Sequence, residues 1–256
     1  MLGIRKITTI GIILSVAGIF VLSAGCSVQK KSMQLMSPYR KQMTVVLGPV
    51  LNYSGEQNLD TLKVTDILYS ELQQVHGFSV IPVNRTLAEM AKNGITNIEN
   101  PQQALNLANQ LGADMIIIAA ITEYNPYYPP IVGIAMQVYS VNDNKEFSAA
   151  SVNPVQLARS ASPLKISVNV GQEYLPKNQI QEIFNSRDKR IAKLAREFAK
   201  LRGTGSSPYK TDLYLRSQEY YLRFVCYESI KKLLEKELER MNFTYLTDTA
   251  REKEFN

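Results

Sequence analysis

Residues 104–124 read ALNLANQLGADMIIIAAITEY, and this stretch decides the fold. Its first part repeats apolar residues at helical spacing and is followed by Gly112, a residue typical of a helix end. Its second part, residues 115–121, is apolar throughout, which indicates a strand covered on both faces of a sheet. A helix that leads directly into such a buried strand is typical of an α/β domain.

The flanking sequence on the N-terminal side extends the same alternation. An apolar, β-branched strand over 43–51 begins to break at Gly48-Pro49, and a helix over 59–75 and a strand over 78–83 follow. Asn84 is placed to cap a helix over 85–92, and Asn100 is placed to cap the next helix, which has Pro101 at its first position. After residue 124 a loop rich in Tyr and Pro leads to a returning strand over 131–141.

The C-terminal part is predicted to be mainly helical. Residues 153–186 lack a clear period and contain prolines, so they are predicted to be an irregular connection, with 164–170 as the one alternating piece. Ser186 is placed to cap a helix over 187–202, a long helix follows over 211–242, and 243–256 are expected to be a frayed tail. The fold class is therefore α/β: a mixed sheet over 42–152, flanked by helices in three layers, with two C-terminal helices packed on it.

The first 26 residues have the three-part build of a secretory signal. Arg5 and Lys6 precede an uncharged apolar run over 10–22, and small residues precede Cys26 in the string LSAGC. That string resembles the lipobox of bacterial lipoproteins, which implies cleavage after residue 25 and acylation of Cys26. Residues 26–41 would then be a lipidated tether. A plain signal peptide and a transmembrane anchor are the alternatives, and Ser27 resembles the outer-membrane class of lipoproteins.

The net charge of +6 does not describe a basic folded body. Two positive charges lie in the signal and four lie in the tether, so residues 42–256 are formally neutral with 23 basic and 23 acidic residues. Within them, residues 42–144 carry 3 basic and 9 acidic residues, and 145–256 carry 20 and 14. Such a polarised body argues against a nucleic-acid partner and is compatible with docking between oppositely charged surfaces, including those of neighbouring subunits.

The order of elements resembles the periplasmic domain of CsgG-like and LpoB-like bacterial lipoproteins. The residues that carry the resemblance are VVLGPV at 45–50, FSVIP at 78–82, ANQLGADMII at 108–117 and ITEY at 121–124. The resemblance covers about residues 42–145, and it supports a prediction of the fold more than a prediction of the function. Proteins of this broad group include the curli secretion pore, activators of penicillin-binding proteins and other envelope assembly factors.

No arrangement of residues in the sequence supports catalysis, a cofactor or a metal site. His76 is the single histidine and lies at a predicted helix end, where a structural role is expected. Cys226 lies on an apolar helix and is expected to be a buried small residue, with an intermolecular disulfide as the alternative. We therefore expect a protein that is not an enzyme.

Two sets of residues are candidates for binding a partner. Tyr124, Tyr127 and Tyr128 lie in a loop stiffened by prolines, which would lose little entropy on binding; the alternative is a hairpin tip packed on its own domain. Lys189, Lys193, Arg196 and Lys200 lie in one arc of the 187–202 helix; the alternative is an ordinary solvated face.

These observations predict a lipid-anchored protein of the outer membrane, facing the periplasm. It would act without catalysis as an assembly, scaffolding or regulatory factor, through contacts with envelope proteins or with copies of itself. The alternative is a subunit of an oligomeric secretion channel of the curli type, which requires residues 146–178 to supply membrane-spanning strands.

Overall fold

The computed structural model describes residues 34–141 and 175–254 of the chain. The predicted signal peptide, Cys26 and the predicted strand 164–170 lie outside these residues, so those predictions stay predictions. The described residues form six strands, β1 (Met43–Leu47), β2 (Leu51–Asn52), β3 (Phe78–Val80), β4 (Met115–Asn125), β5 (Ile131–Ser140) and β6 (Asn178–Asn185). They make one mixed sheet with the spatial order β3-β1-β4-β5-β6, and β2 also pairs with β4.

Strand β4 is the centre of this sheet. It is parallel to β1 and β2 and antiparallel to β5, which is in turn antiparallel to β6. Residues 115–121 are all buried, which confirms the strand that their apolar sequence predicts. The β4–β5 register shifts between Ile121 and Glu123, so Thr122 lies in a bulge opposite Gly133. The break between β1 and β2 falls at residues 48–50, where the Gly-Pro pair predicts it.

The helices of the described residues are α1 (Thr61–Leu72), α2 (Val83–Lys92), α3 (Pro101–Gln110), α4 (Lys189–Arg202), the short α5 (Leu213–Arg216) and α6 (Gln218–Glu254). Asn100 caps α3 by accepting a hydrogen bond from the backbone N–H of Gln103 at 2.9 Å, so the predicted cap with Pro101 at the first position is confirmed. Gly112 follows α3 with φ of +67°, a left-handed conformation that glycine adopts without a steric cost.

Two predicted helix starts are wrong. α2 begins at Val83, because Pro82 occupies the cap position, and Asn84 therefore lies inside the helix. α4 begins at Lys189, and its cap is Asp188, whose carboxylate accepts from the N–H of Arg190 at 2.8 Å. A carboxylate at this position satisfies a free N–H and complements the helix dipole, which explains why Asp188 rather than Ser186 takes the cap.

Helices cover both faces of the sheet, so the fold has three layers. α2 and α3 pack on one face, in a cluster that contains Ile116 and Ile118 of β4. α1 and α6 pack on the other face, where Met115 and Ile117 line a small apolar cavity together with α6 residues such as Ile230. Successive side chains of a strand point to opposite faces of the sheet, so consecutive β4 residues pack against different helical layers. The predicted α/β class with a flanked mixed sheet and a C-terminal helical region is confirmed.

Three predictions for the C-terminal part need correction. Residues 178–185 form β6, although 153–186 was predicted to be an irregular connection. Ile180 and Phe184 are buried on one face, but the apolar sequence does not alternate, because Glu182 lies between them on that face and Ile183 is on the exposed one. The long helix begins at Gln218, after a 3₁₀ turn at Lys210–Asp212 and α5, instead of at 211. It continues to Glu254, where a frayed tail was predicted from residue 243.

The end of the predicted tether belongs to the folded domain. Ser37 donates a backbone hydrogen bond to His76 at 2.8 Å, and the His76 N–H donates to Leu35 at 2.8 Å. The Tyr39 hydroxyl donates to the carboxylate of Glu237 on α6 at 2.8 Å. Residues 35–39 therefore pack on the domain, although the tether was predicted to run to residue 41.

A partly buried ion pair fixes the C-terminal helices to the domain. Arg202 at the end of α4 donates hydrogen bonds to Glu71 of α1 and to Gln74 just after that helix, and its guanidinium also contacts the rings of Phe198 and Tyr227. Burial raises the pKa of Glu71, while the positive charge of Arg202 opposes that change. The two-helix extension was predicted to pack on the domain, and this pair is one contact by which it does so.

Candidate protein-interaction surface

The β4–β5 hairpin ends in a short loop that projects two tyrosines. Asn125 pairs with Ile131 as the last rung of the hairpin, and its side-chain oxygen accepts from the Tyr127 N–H at 3.1 Å. The carbonyl of Pro130 accepts from the Ser186 N–H at 3.0 Å, which fixes the loop to the end of β6. Tyr127 is 80% exposed, so the loop holds a large aromatic side chain out into solvent.

Tyr128 meets the segment between α4 and α6. The guanidinium carbon of Arg216 lies 4.8 Å from the ring centre of Tyr128 and 5.4 Å from that of Tyr209. Tyr128 is 59% exposed and Tyr209 is 54% exposed, and Arg216 is exposed as well. We call Tyr127, Tyr128, Tyr209 and Arg216 the tyrosine–arginine cluster. It brings together residues about 80 positions apart in the chain.

Helix α5 holds Arg216 in place because the opposite side of this short helix is anchored in the core. Tyr214 and Leu215 are buried, and the Tyr214 ring packs edge-on against Phe198 of α4 at 5.3 Å. Asp212, just before α5, accepts a hydrogen bond from Arg196 at 2.7 Å. The cluster is therefore built on packed elements, and its arginine does not depend on a free loop for its position.

Tyr124 is not part of the exposed loop, which corrects its place in the predicted set. It lies on β4, its side chain is buried, and its hydroxyl accepts a hydrogen bond from Gln218 at the start of α6. Burial raises its pKa to about 12. Tyr124 ties the hairpin to α6, while Tyr127 and Tyr128 are exposed.

The basic residues on α4 are exposed to different degrees. Lys189, Lys193 and Lys200 are exposed, and Lys193 lies 3.9 Å from the carboxylate of Glu197. Arg196 is partly buried and its charge is compensated by Asp212. The arc is therefore a row of three solvated lysines, and Arg196 serves mainly to hold the segment that carries α5.

The remaining polar candidates do not assemble into a reactive centre within residues 34–141 and 175–254. These residues hold no group of three potential metal ligands. The backbone of His76 pairs with the N-terminal segment, and the structural role expected for its side chain stays a prediction. Cys226 is buried on α6 with a raised pKa, which agrees with the small buried residue expected there.

The same described ranges contain no helix that is long and apolar enough to cross a bilayer. The segment needed for membrane-spanning strands of a channel lies almost wholly outside them. The curli-type alternative therefore stays a prediction.

Sequence reasoning missed Tyr209 and Arg216. Tyr209 follows the Gly- and Pro-containing break after α4, and Arg216 falls inside the long helix predicted over 211–242, where nothing distinguishes it from the other basic residues. Their only signal is composition, an aromatic and an arginine near a loop. Their importance comes from the tertiary structure, which places them against the hairpin tip.

Comparisons with known proteins return partial structural matches. No family model and no curated protein matches the chain. The lipoprotein GNA1162 from Neisseria meningitidis is 13% identical with a TM-score of 0.39, over 64% of this chain and 99% of that chain. The LpoB C-terminal domain from Escherichia coli is 14% identical with a TM-score of 0.34, over 40% of this chain and 74% of that chain.

A hypothetical protein from Chlamydia trachomatis is 11% identical with a TM-score of 0.36, over 78% of this chain and 95% of that chain. The LpoB part of the expected resemblance thus recurs among solved structures, whereas the part that concerns the curli pore stays a prediction. At these identities and TM-scores the similarity assigns neither a family nor a function. The function proposed below therefore rests on residues of this chain.

Proposed function

We propose that this chain is a lipid-anchored, periplasm-facing envelope protein that holds a partner protein on the tyrosine–arginine cluster and performs no catalysis. The observation that carries this proposal is the contact of Arg216 with two exposed tyrosines, Tyr128 and Tyr209, next to the exposed Tyr127 of the same loop. Tyrosine and arginine are the residues most enriched at the energetic centres of protein interfaces. Their exposure here is best explained by a partner that covers them.

The physical advantage of the cluster is low entropy loss. Tyrosine offers a large, rigid contact area with two rotatable side-chain bonds, and the hairpin loop is held by Asn125 and Pro130. A partner therefore meets a surface whose shape is already set. The exposed lysines of α4 would add long-range attraction for an acidic partner and speed its association.

The anchor is the second half of the proposal. Acyl chains on Cys26 would confine the domain to a membrane surface and raise its effective concentration for partners there. Ser27 favours the outer membrane. Anchoring together with an interaction surface describes an assembly, scaffolding or regulatory factor of the envelope.

Site-specific photo-crosslinking tests the interaction surface. A photoreactive phenylalanine replaces Tyr127 in the full chain, and a matched variant carries it at Leu238, an exposed residue of α6 away from the hairpin. We expect a discrete crosslinked protein at position 127 that is absent at position 238. Identical patterns at both positions, or none at 127, would contradict the proposed surface.

Fractionation of cells tests the anchor. Cys26→Ala is expected to release the protein from membranes, with Cys226→Ala as the control that keeps it bound. A Cys26→Ala protein that stays in the membrane fraction would show that acylation is not the anchor. Microscopy of detergent-solubilised protein adds a separate check, because discrete rings with a lumen would favour the secretion channel.

A further inference from the structure

The environment of Arg216 indicates which chemical group of the partner it would bind. Arg190, Arg196, Arg202, Arg223 and Arg240 each pair with an acidic side chain of this chain. In the part of the chain that the structure describes, Arg216 has no such pair, and neither do the exposed Arg85 and Arg187. Unlike those two, Arg216 is held between the rings of Tyr128 and Tyr209. Within the described residues its guanidinium has neither an acidic partner nor a hydrogen bond.

Aromatic contacts orient a guanidinium without neutralising it. A ring attracts the cation through its face, so the planar group is held in place while its N–H donors at the edge stay available. The best match for two parallel N–H donors is an oxygen pair such as a carboxylate, which accepts both hydrogen bonds at once. The cluster therefore has a prepositioned, uncompensated donor pair surrounded by tyrosine surface.

We propose that Arg216 is the anchor point for a carboxylate of the partner protein, an Asp or Glu side chain that comes to lie beside Tyr127 and Tyr128. This proposal rests on the proposed function, since it names the chemistry that the interaction surface recognises. A polypeptide is favoured over a phosphate group because the exposed tyrosines provide contact area that a small headgroup would not use.

The test uses the crosslinker at position 127 in the full chain, combined with changes at Arg216. Arg216→Gln removes the charge and the paired donors, and Arg216→Lys keeps the charge but loses the two-pronged geometry. Lys92→Gln on α2 is the matched control, with the same change in net charge on an exposed residue of another helix. Thermal unfolding of each variant checks that the domain stays folded.

We expect Arg216→Gln to lower the crosslinking yield about tenfold, which is the usual effect of losing a hydrogen bond to a charged group. The yield of Arg216→Lys should stay well below that of the wild type, and Lys92→Gln should match the wild type. A charge reversal provides the strongest support. Arg216→Glu should abolish the crosslink, and replacing the contacted acid of the captured partner by arginine should restore it.

Two kinds of failure can be told apart. If the unmodified cluster captures no protein at all, the proposed function fails. If a protein is captured but Arg216→Gln leaves the yield unchanged, or Arg216→Lys restores it fully, the carboxylate anchor is overturned and the interaction surface stands. A competition experiment distinguishes a carboxylate from a phosphate ligand. If inorganic phosphate lowers the crosslinking yield more than acetate does at equal ionic strength, the ligand is a phosphate and the proposal is overturned.

Discussion

The carboxylate of Asp114 accepts a hydrogen bond from the backbone N–H of Thr44 at 2.8 Å, and the N–H of Asp114 donates to the Thr44 carbonyl at 2.9 Å. Lys41 lies 3.1 Å from the same carboxylate. These bonds join the start of β4 to the start of β1, next to the first rung between the two parallel strands. Asp114, which lies between Gly112 and the buried strand, therefore holds the first residues of β1 and β4 together.

Replacing Asp114 by alanine should destabilise the domain by about 1–3 kcal/mol, because the Thr44 N–H loses its partner at a partly buried site. Urea unfolding measures the change. Asp66→Ala, which removes an exposed carboxylate on α1, should have little effect. Equal stability of the two variants would mean that the Asp114 side chain does not hold the strands together.

The same carboxyl group should make stability depend on pH. The hydrogen bond from Thr44 is the main reason why the pKa of Asp114 is below its usual value of 3.8. A lowered pKa in the folded state gives stability that is present above 3.8 and is lost as the pH falls through the folded pKa. The difference in unfolding free energy between wild type and Asp114→Asn should therefore be constant near neutral pH and shrink in strong acid. A difference that grows on acidification would contradict this assignment.

The Arg202–Glu71 pair gives a second stability prediction. Arg202→Met leaves the carboxylate of Glu71 buried without its counter-charge, which typically costs about 3–5 kcal/mol. The Arg202 side chain is 24% exposed, so we expect a value at the lower end of that range. The double variant Arg202→Met with Glu71→Leu should recover most of the loss, as measured by denaturant unfolding. If the double variant stays as unstable as Arg202→Met, the lost stability does not come from the unpaired charge of Glu71.

A side chain at Gly133 should destabilise the domain, because the bulge on the neighbouring strand leaves no room for a Cβ atom. A Cβ at this position would lie 2.6 Å from the Thr122 hydroxyl and 3.0 Å from Glu123. Gly133→Ala should therefore cost about 1–3 kcal/mol through overpacking. Adding Thr122→Ala removes the closest contact and should restore part of the stability in thermal unfolding. An unchanged melting temperature for Gly133→Ala would show that the hairpin adjusts without strain.

The fold was predictable where a local pattern coincides with a tertiary need. The apolar run of β4, the Gly112 helix end and the Asn100 cap each have a short-range signal, and each occurs where it was predicted. Strand β6 carries a weaker signal, because Glu182 occupies the position between its two buried apolar residues and the apolar Ile183 lies on its exposed face. Only its pairing with β5 defines it as a strand, and that partner lies about 45 residues away.

The candidate surface was predictable in part for the same reason. A Tyr/Pro loop is visible in the sequence, so Tyr127 and Tyr128 could be named, and Tyr124 was included because the end of β4 could not be located. Nothing local indicates that Arg216 comes to lie beside Tyr128. Cation–π contacts between distant segments depend on how α4 and α5 pack, which is set by buried residues such as Phe198 and Tyr214.

The pairing of residues 35–37 with His76 also determines how the domain would carry a mechanical load. Tension applied through the N-terminal segment first reaches those backbone hydrogen bonds and then β1, which is paired along both of its sides by β3 and β4. Pulling along a strand with two neighbours strains its hydrogen bonds together, in shear. The domain would therefore resist being drawn open from that end, and the hairpin tip at the far end of the sheet would keep its shape under such tension.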